Sequence, residues 1–279
     1  MNQHHIYNMK RIDIIVKTIL ILAVIGGHAY GQKIDGAYVK ALYAKYPTVK
    51  SNFCKACKLW VNPYYKSIAD TQQHRPLIEY ELYTKANAAI SDKIKIPRGA
   101  PKKGAIVKPG AMPYQSAFSA WNSVTGQPNE DAVYVAANKI VKPLKDEIAK
   151  GHMQAWILNS FAIDAVILSD TYTFNAAPED QSQNVGTEIF TEEHTRNLLK
   201  TMDVQVWGGT FGNQDTFTDG KIKDVYPSYY WKVIKYGTTT ECWLMPNNKT
   251  QTMAMIKSTI ISYASLVKAL GFDPCKILK

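Results

Sequence analysis

The sequence predicts an α+β domain behind an N-terminal export segment. Three observations carry this. Strand-like and helix-like patterns are mixed along the chain without β–α–β regularity, which argues against a doubly wound sheet. Two apolar runs meet at Gly237 in a pattern suited to an antiparallel hairpin. Removing the export segment leaves roughly 250 residues, enough for one domain of generous size with a large core.

Each element follows in order. Lys10, Arg11 and Lys17 lead into an apolar run at residues 19–25, and Ala29-Tyr30-Gly31 supplies small residues where a signal peptidase cuts. Residues 1–31 therefore read as a signal peptide and 32–279 as the mature domain, secreted or periplasmic. The apolar run falls short of the roughly 20 residues that span a bilayer, and no second long run follows. An uncleaved anchor is the alternative. Residues 32–75 form a Lys- and Tyr-rich lead-in with a short helix over 37–46. Residues 76–84 alternate as a strand. Residues 93–115 hold four prolines and three glycines, the mark of a long loop, together with six lysines and arginines. Such a loop could track a phosphate backbone or simply be solvated.

Ala132-Val133-Tyr134-Val135-Ala136 reads as a buried strand. Residues 156–168 are mostly apolar core, with a further strand over 165–168. Residues 180–202 read as a helix with Val185, Ile189, Leu198 and Leu199 available to the core. Asn184, Glu188, Glu192 and Arg196 recur every four residues along it as a polar stripe. Residues 204–211 form a strand broken by Gly208-Gly209. Residues 230–236 and 241–245 make the hairpin, and a last helix over 263–270 stops at Gly271.

The formal charge is +10, of which about +8 stays with the mature chain. This favours polyanions, although many exported proteins are basic. Cys54, Cys57, Cys242 and Cys275 all lie after the signal and permit up to two disulfides in three pairings. Cys54-Lys55-Ala56-Cys57 lacks the surroundings of a thioredoxin motif, and zinc would need two more nearby ligands. Structural bridging is the preferred reading.

Chemistry centres on histidine, because a neutral imidazole is the natural base near neutral pH. Three follow the signal. His74 sits in a polar loop and His194 on the predicted helix. His152 follows Gly151 and precedes an apolar segment, a better place for a fixed, partly shielded base.

The segment Lys150-Gly151-His152-Met153 resembles the Asp-Arg-Gly-His motif of the sugar-non-specific DNA/RNA endonuclease family. Asn175, Pro178-Glu179, Asn184 with Gly186, Glu192 and Arg196 follow in that family's order. Trp207-Gly208-Gly209-Thr210-Phe211, Trp231-Lys232-Val233 and Leu244-Met245-Pro246-Asn247 resemble its later strands, so the likeness runs over residues 130–273. The resemblance implies a ββα-metal (His-Me finger) core on a central, mostly antiparallel sheet flanked by helices.

It also implies roles. His152 would be the general base, Asn184 the protein ligand of Mg²⁺ (or Mn²⁺) and Glu192 the holder of a water. Asn175 would shape the site, and Lys150 and Arg196 would meet phosphate. Mg²⁺ suits this set, because it prefers oxygen ligands and keeps several waters. The implied activity is cleavage of DNA and RNA to 5′-phosphate ends, by contacts to backbone rather than bases. No membrane partner is expected after signal cleavage, and nothing sets the oligomeric state. Ala149-Lys150 replaces the family's Asp-Arg. Lysine keeps the charge but loses the planar fork that grips phosphate at two points. A catalytically weak or inactive nucleic-acid-binding protein on the same fold is therefore the alternative.

Overall fold

The computed structural model describes residues 36–94, 130–141 and 148–279. The signal segment 1–31 and all but the first two residues of the basic stretch 93–115 lie outside them. Within the described residues, helix α1 (Gly36–Ala44) is followed by strands β1 (Val49–Lys50), β2 (Cys57–Val61), β3 (Tyr65–Asp70) and β4 (Arg75–Tyr83). Helices α2 (Lys85–Ile94) and α3 (Asp131–Val141) precede β5 (Ile148–His152). A short helix α4 (Ile163–Ser169) then leads to β6 (Ala176–Asp180).

The long helical segment that follows has three parts: α5 (Gln181–Gln183), a π-helical turn (Asn184–Glu188) and α6 (Ile189–Leu199). Strands β7 (Val204–Phe211), β8 (Asp215–Thr218), β9 (Lys223–Tyr226), β10 (Tyr229–Tyr236) and β11 (Thr239–Pro246) come next. Helices α7 (Ile256–Thr259), α8 (Tyr263–Leu270) and α9 (Pro274–Ile277) complete the described chain.

Seven strands form one antiparallel sheet in the order β1-β2-β3-β4-β7-β10-β11. Register fixes what each face carries, because successive side chains point to opposite faces. Glu79, Gly208 and Lys232 lie in one row across β4, β7 and β10. Tyr80, Trp207 and Val233 lie in the next row, on the opposite face. The Trp207 face packs on Leu266 and Leu270 of α8. The other face packs on Leu199 of α6 and on Met153, Ala155 and Leu158 beyond β5. With layers on both sides, β4 buries Ile78, Glu79, Glu81 and Tyr83 alike.

Helix α8 begins at Ser262, whose hydroxyl accepts from Ser265 N at 3.1 Å, and ends at Gly271 with φ +77°. Both ends follow the sequence reading. The hairpin turn at Gly237, also left-handed, falls where expected.

Three expectations are corrected. Residues 132–136 belong to helix α3, not a strand. Val133, Tyr134 and Ala137 are buried while Val135 is 55 % exposed, a helical spacing that a five-residue apolar run conceals. Residues 165–168 belong to α4, with all four side chains buried. A helix enclosed on all sides shows no amphipathic period, and its Val-Ile pair imitates a strand.

The third concerns Gly208-Gly209, which does not break β7. A β-carbon on Gly209 would lie 2.1 Å from Leu77 O and 2.7 Å from the Trp231 ring. The glycine lets neighbours close over an unbroken strand.

Candidate active site

Strands β5 and β6 pair antiparallel, with Lys150 opposite Pro178, Gly151 opposite Ala177 and His152 opposite Ala176. The helical segment follows β6 directly, so the local order is strand, strand, helix. Gly151 is needed for this packing. A β-carbon there would meet Glu179 Oε2 at 2.3 Å and the Tyr230 hydroxyl at 2.6 Å.

His152 closes β5 and is buried. Its Nε2 lies 3.1 Å from Oδ1 of Asp170, which is fully buried just after α4. An ionised carboxylate only accepts, so Nε2 carries the proton in the neutral ring and Nδ1 carries the lone pair. Asn175 holds both partners in place. Its Oδ1 accepts from Gln154 N at 2.7 Å, and its Nδ2 donates to Ser169 O at 2.6 Å and Gln154 O at 3.2 Å. Its backbone oxygen accepts from Met153 N at 2.9 Å. One amide thus ties the residues after His152 to the residue before Asp170.

Lys150 lies two residues from His152, on the same strand face. Its ammonium sits 4.9 Å from the centroid of the Tyr172 ring and 5.7 Å from that of Tyr134. Such a cation over aromatic faces is held by the ring quadrupoles.

Asp180 caps the helical segment, accepting from Ser182 N at 2.8 Å, and its own N–H donates to Asn247 Oδ1 at 2.8 Å. Asn184 opens the π turn and is half-buried. Its side-chain amide makes no hydrogen bond among the described residues. Gly186 lets the turn close on the backbone at Gln251 and Thr252, where a β-carbon would come to 2.9 Å and 3.0 Å. The π turn also alters the phase of the helix. Val185, expected in the core, is 51 % exposed, while Glu188, expected on the polar stripe, is buried.

Glu188 accepts a hydrogen bond from Lys232 of β10, both fully enclosed. Burial alone would lower the Lys232 ammonium. Glu188, with Glu192 and Glu179, outweighs that and holds it above its ordinary value. Glu179 is pushed the other way from an ordinary carboxylate, upward, by burial and then by the charge of Glu188. Glu192 is therefore joined electrostatically to the group beneath the helix. Arg196 lies outside it. Its guanidinium pairs with Asp92 at 3.2 Å on an exposed surface.

Asp170, Glu179, Glu188 and Lys232 were not among the sequence-predicted site residues. Lys232, a lysine inside an apolar strand, and Asp170, the first charge after a buried run, were the available signals.

A second polar group stands apart in sequence. His74 Nδ1 lies 2.8 Å from Asp224 Oδ1, and Glu130 joins them. Among the described residues, these are the three His, Cys, Asp or Glu side chains whose ligand atoms gather within 4.8 Å.

With this geometry in place, comparison with known proteins decides the family. The sequence matches the model of the DNA/RNA non-specific endonuclease family over residues 47–279. The chain belongs to that family. A comparison with curated proteins finds no match. Among solved structures, the chain is similar to one in the crystal structure of the EndoG/EndoGI complex, with a TM-score of 0.53 and 17 % identity. The likeness covers 77 % of this chain and 86 % of that one, and it bears on the fold.

The endonuclease family accounts for the mixed α+β architecture and for the strand–strand–helix unit that carries His152. Cys54 and Cys57 form a disulfide, and Cys242 and Cys275 are unbonded. No described helix is long and apolar enough to cross a membrane. The bridge suits an oxidising compartment.

Proposed function

We propose that this member of the family is a secreted, Mg²⁺-dependent endonuclease that hydrolyses phosphodiester bonds of DNA and RNA and leaves 5′-phosphates. The observation that carries the reading is the His152–Asp170 pair at the end of β5, fastened by Asn175. His152 takes a proton from water at Nδ1 as the water attacks phosphorus. Asp170 keeps the proton on Nε2 and steadies the imidazolium that forms. Asn175 is a positioning residue, acting through the backbone around His152.

The residues of the helical segment fit Mg²⁺. Asn184 offers a neutral amide oxygen with no competing hydrogen bond among the described residues, and Glu192 offers a carboxylate two turns on that can hold a water. Neutral and water ligands match an ion that keeps part of its hydration shell. When bound, the ion would stabilise charge developing on the phosphate and leaving oxygens. Lys150 and Arg196 would supply positive charge to the backbone of the substrate.

The test is purified mature protein incubated with plasmid and with RNA, with Mg²⁺ or EDTA, beside His152→Ala. Cleavage dependent on both the metal and His152 is expected. Cleavage surviving both EDTA and the substitution would overturn the mechanism. A second reading, nucleic-acid binding with little catalysis, is favoured by one observation. Lys150 is engaged with two tyrosine rings where the family carries arginine, and Ala149 lacks the family's carboxylate. Salt-sensitive DNA binding without cleavage would select it.

A further inference from the structure

The group formed by His74, Glu130 and Asp224 lies outside the proposed catalytic residues. Its members come from three distant places: the turn between β3 and β4, the residue before α3, and β9. Glu130 and Asp224 are both fully buried, and His74 is nearly so. Thr173 donates to Glu130 Oε1 at 2.5 Å, and His74 faces Asp224 Oδ1. Glu130 and Asp224 are hydrogen-bonded to one another, and no other described donor reaches Glu130 Oε2 or Asp224 Oδ2. Without a cation the two buried carboxyls must share a proton, which a bound metal ion would displace.

The backbone supplies an independent sign. Two non-glycine residues among those described have positive φ, His74 at +51° and Thr173 at +66°. Both touch this group. A β-branched residue in the left-handed region is an outlier, and strain of this kind persists where the side chain is needed. The turn at His74 is already fixed by Asp70, whose Oδ1 accepts from the N–H groups of Gln72 and Gln73 at 2.9 and 3.0 Å. The turn itself therefore gives no reason for an imidazole there.

We infer that His74, Glu130 and Asp224 form a second metal site, which takes a first-row divalent ion such as Zn²⁺ and locks the β3–β4 turn, α3 and β9 together. One imidazole and two carboxylates offer a nitrogen and two oxygens, a donor set that Zn²⁺ accepts with water filling its shell. The ion would replace the proton between His74 Nδ1 and Asp224 and would neutralise the two buried carboxylates. Its role is structural, and its three ligands are distinct from the proposed catalytic residues, although Lys150 lies near enough to favour the charged form of Glu130.

The full mature chain is stripped with chelator, dialysed, and titrated with Zn²⁺ while bound metal and melting temperature are followed. About one tightly bound ion per chain and a rise of about 5–10 °C are expected at saturating zinc. Asp224→Asn should weaken zinc binding by more than about 100-fold, since loss of an outer-shell partner alone costs 10–100-fold. His74→Asn, which tolerates the left-handed backbone, should also remove the thermal shift and keeps the test open if Asp224→Asn does not fold. His152→Ala and Asn184→Ala should retain it. Absence of tight zinc in the wild-type chain overturns the inference and leaves a carboxyl pair sharing a proton. So does an equal thermal shift in His74→Asn.

Discussion

Two histidines in this protein each face a fully buried aspartate, at 3.1 Å for His152 and Asp170 and at 2.8 Å for His74 and Asp224. The pairs differ in what surrounds them. Around His152 the braces are neutral, with Asn175 saturated by Gln154 and Ser169. Around His74 the next group is a second carboxyl, Glu130, hydrogen-bonded to Asp224. One carboxylate beside an imidazole fixes a tautomer, which is what a base requires. Two buried carboxyls beside an imidazole are both pushed upward, chiefly by burial, so they hold a proton that a cation can displace. On the proposed readings, the same residue pair is directed to different chemistry by its third neighbour.

The comparison is broken most directly by exchanging the histidines. His152→Ala should lower the rate of plasmid cleavage by about 10²–10⁴-fold with little change in melting temperature. His74→Ala should leave cleavage within a few-fold once the protein is folded. Equal losses would mean that the two pairs do not divide the work. A third buried cluster extends the test. Lys232→Met removes the cation under Glu188 and should destabilise by roughly 3–5 kcal/mol in urea titration, because an enclosed carboxylate loses its partner. A loss below about 1 kcal/mol would show that water already reaches Glu188.

The parts legible in the sequence share one property: their signal is local. The Gly237 hairpin, the capped helix from Tyr263 to Leu270 and the helix beginning after Asp180 each carry turn or cap residues within a few positions. The strand–strand–helix order around His152 entered only through the resemblance to the endonuclease family, since no local pattern marked residues 148–152 or 176–180 as strands. What escaped depends on long-range burial. Residues 132–136 and 165–168 are apolar runs whose helical form is set by their neighbours. Glu188 looks like a surface residue by its period, and only the π turn and Lys232 draw it inside. The His74 group was invisible for the same reason, since 150 residues separate His74 from Asp224.

A carboxyl with neither histidine nor cation sharpens the contrast further. Burial pushes Glu81 up to about 8, with Asn159 Nδ2, donating at 3.2 Å, offsetting only part of that. The folded-state value lies above the unfolded one. Between about pH 4.5 and 8 the unfolded chain therefore releases a proton that the folded chain keeps. Glu81 thus lowers stability progressively as pH rises through that window. Glu81→Gln keeps an acceptor for Asn159 and removes the slope. It should match the wild type near pH 4 and exceed it by a few kcal/mol near pH 8, read from urea midpoints at the two pH values. Parallel curves would mean that Glu81 titrates as an ordinary carboxyl.

The smallest effect on stability is expected at Arg196, and it decides where the functional face of the helix ends. Arg196 and Asp92 are about half and more than half exposed, so their pairing at 3.2 Å is screened by water. Arg196→Ala should change stability by less than about 1 kcal/mol. If its guanidinium also meets substrate phosphate, DNA binding by a catalytically silenced His152→Ala background should weaken. The slope of log affinity against log salt should then fall by about 1. If binding and slope both stay unchanged, Arg196 serves only the surface. The positive charge facing the substrate must then come from elsewhere, with Lys150 the first candidate. Its ammonium would have to leave Tyr172 and Tyr134 to reach a phosphate, so Lys150→Ala in the same background becomes the more informative measurement.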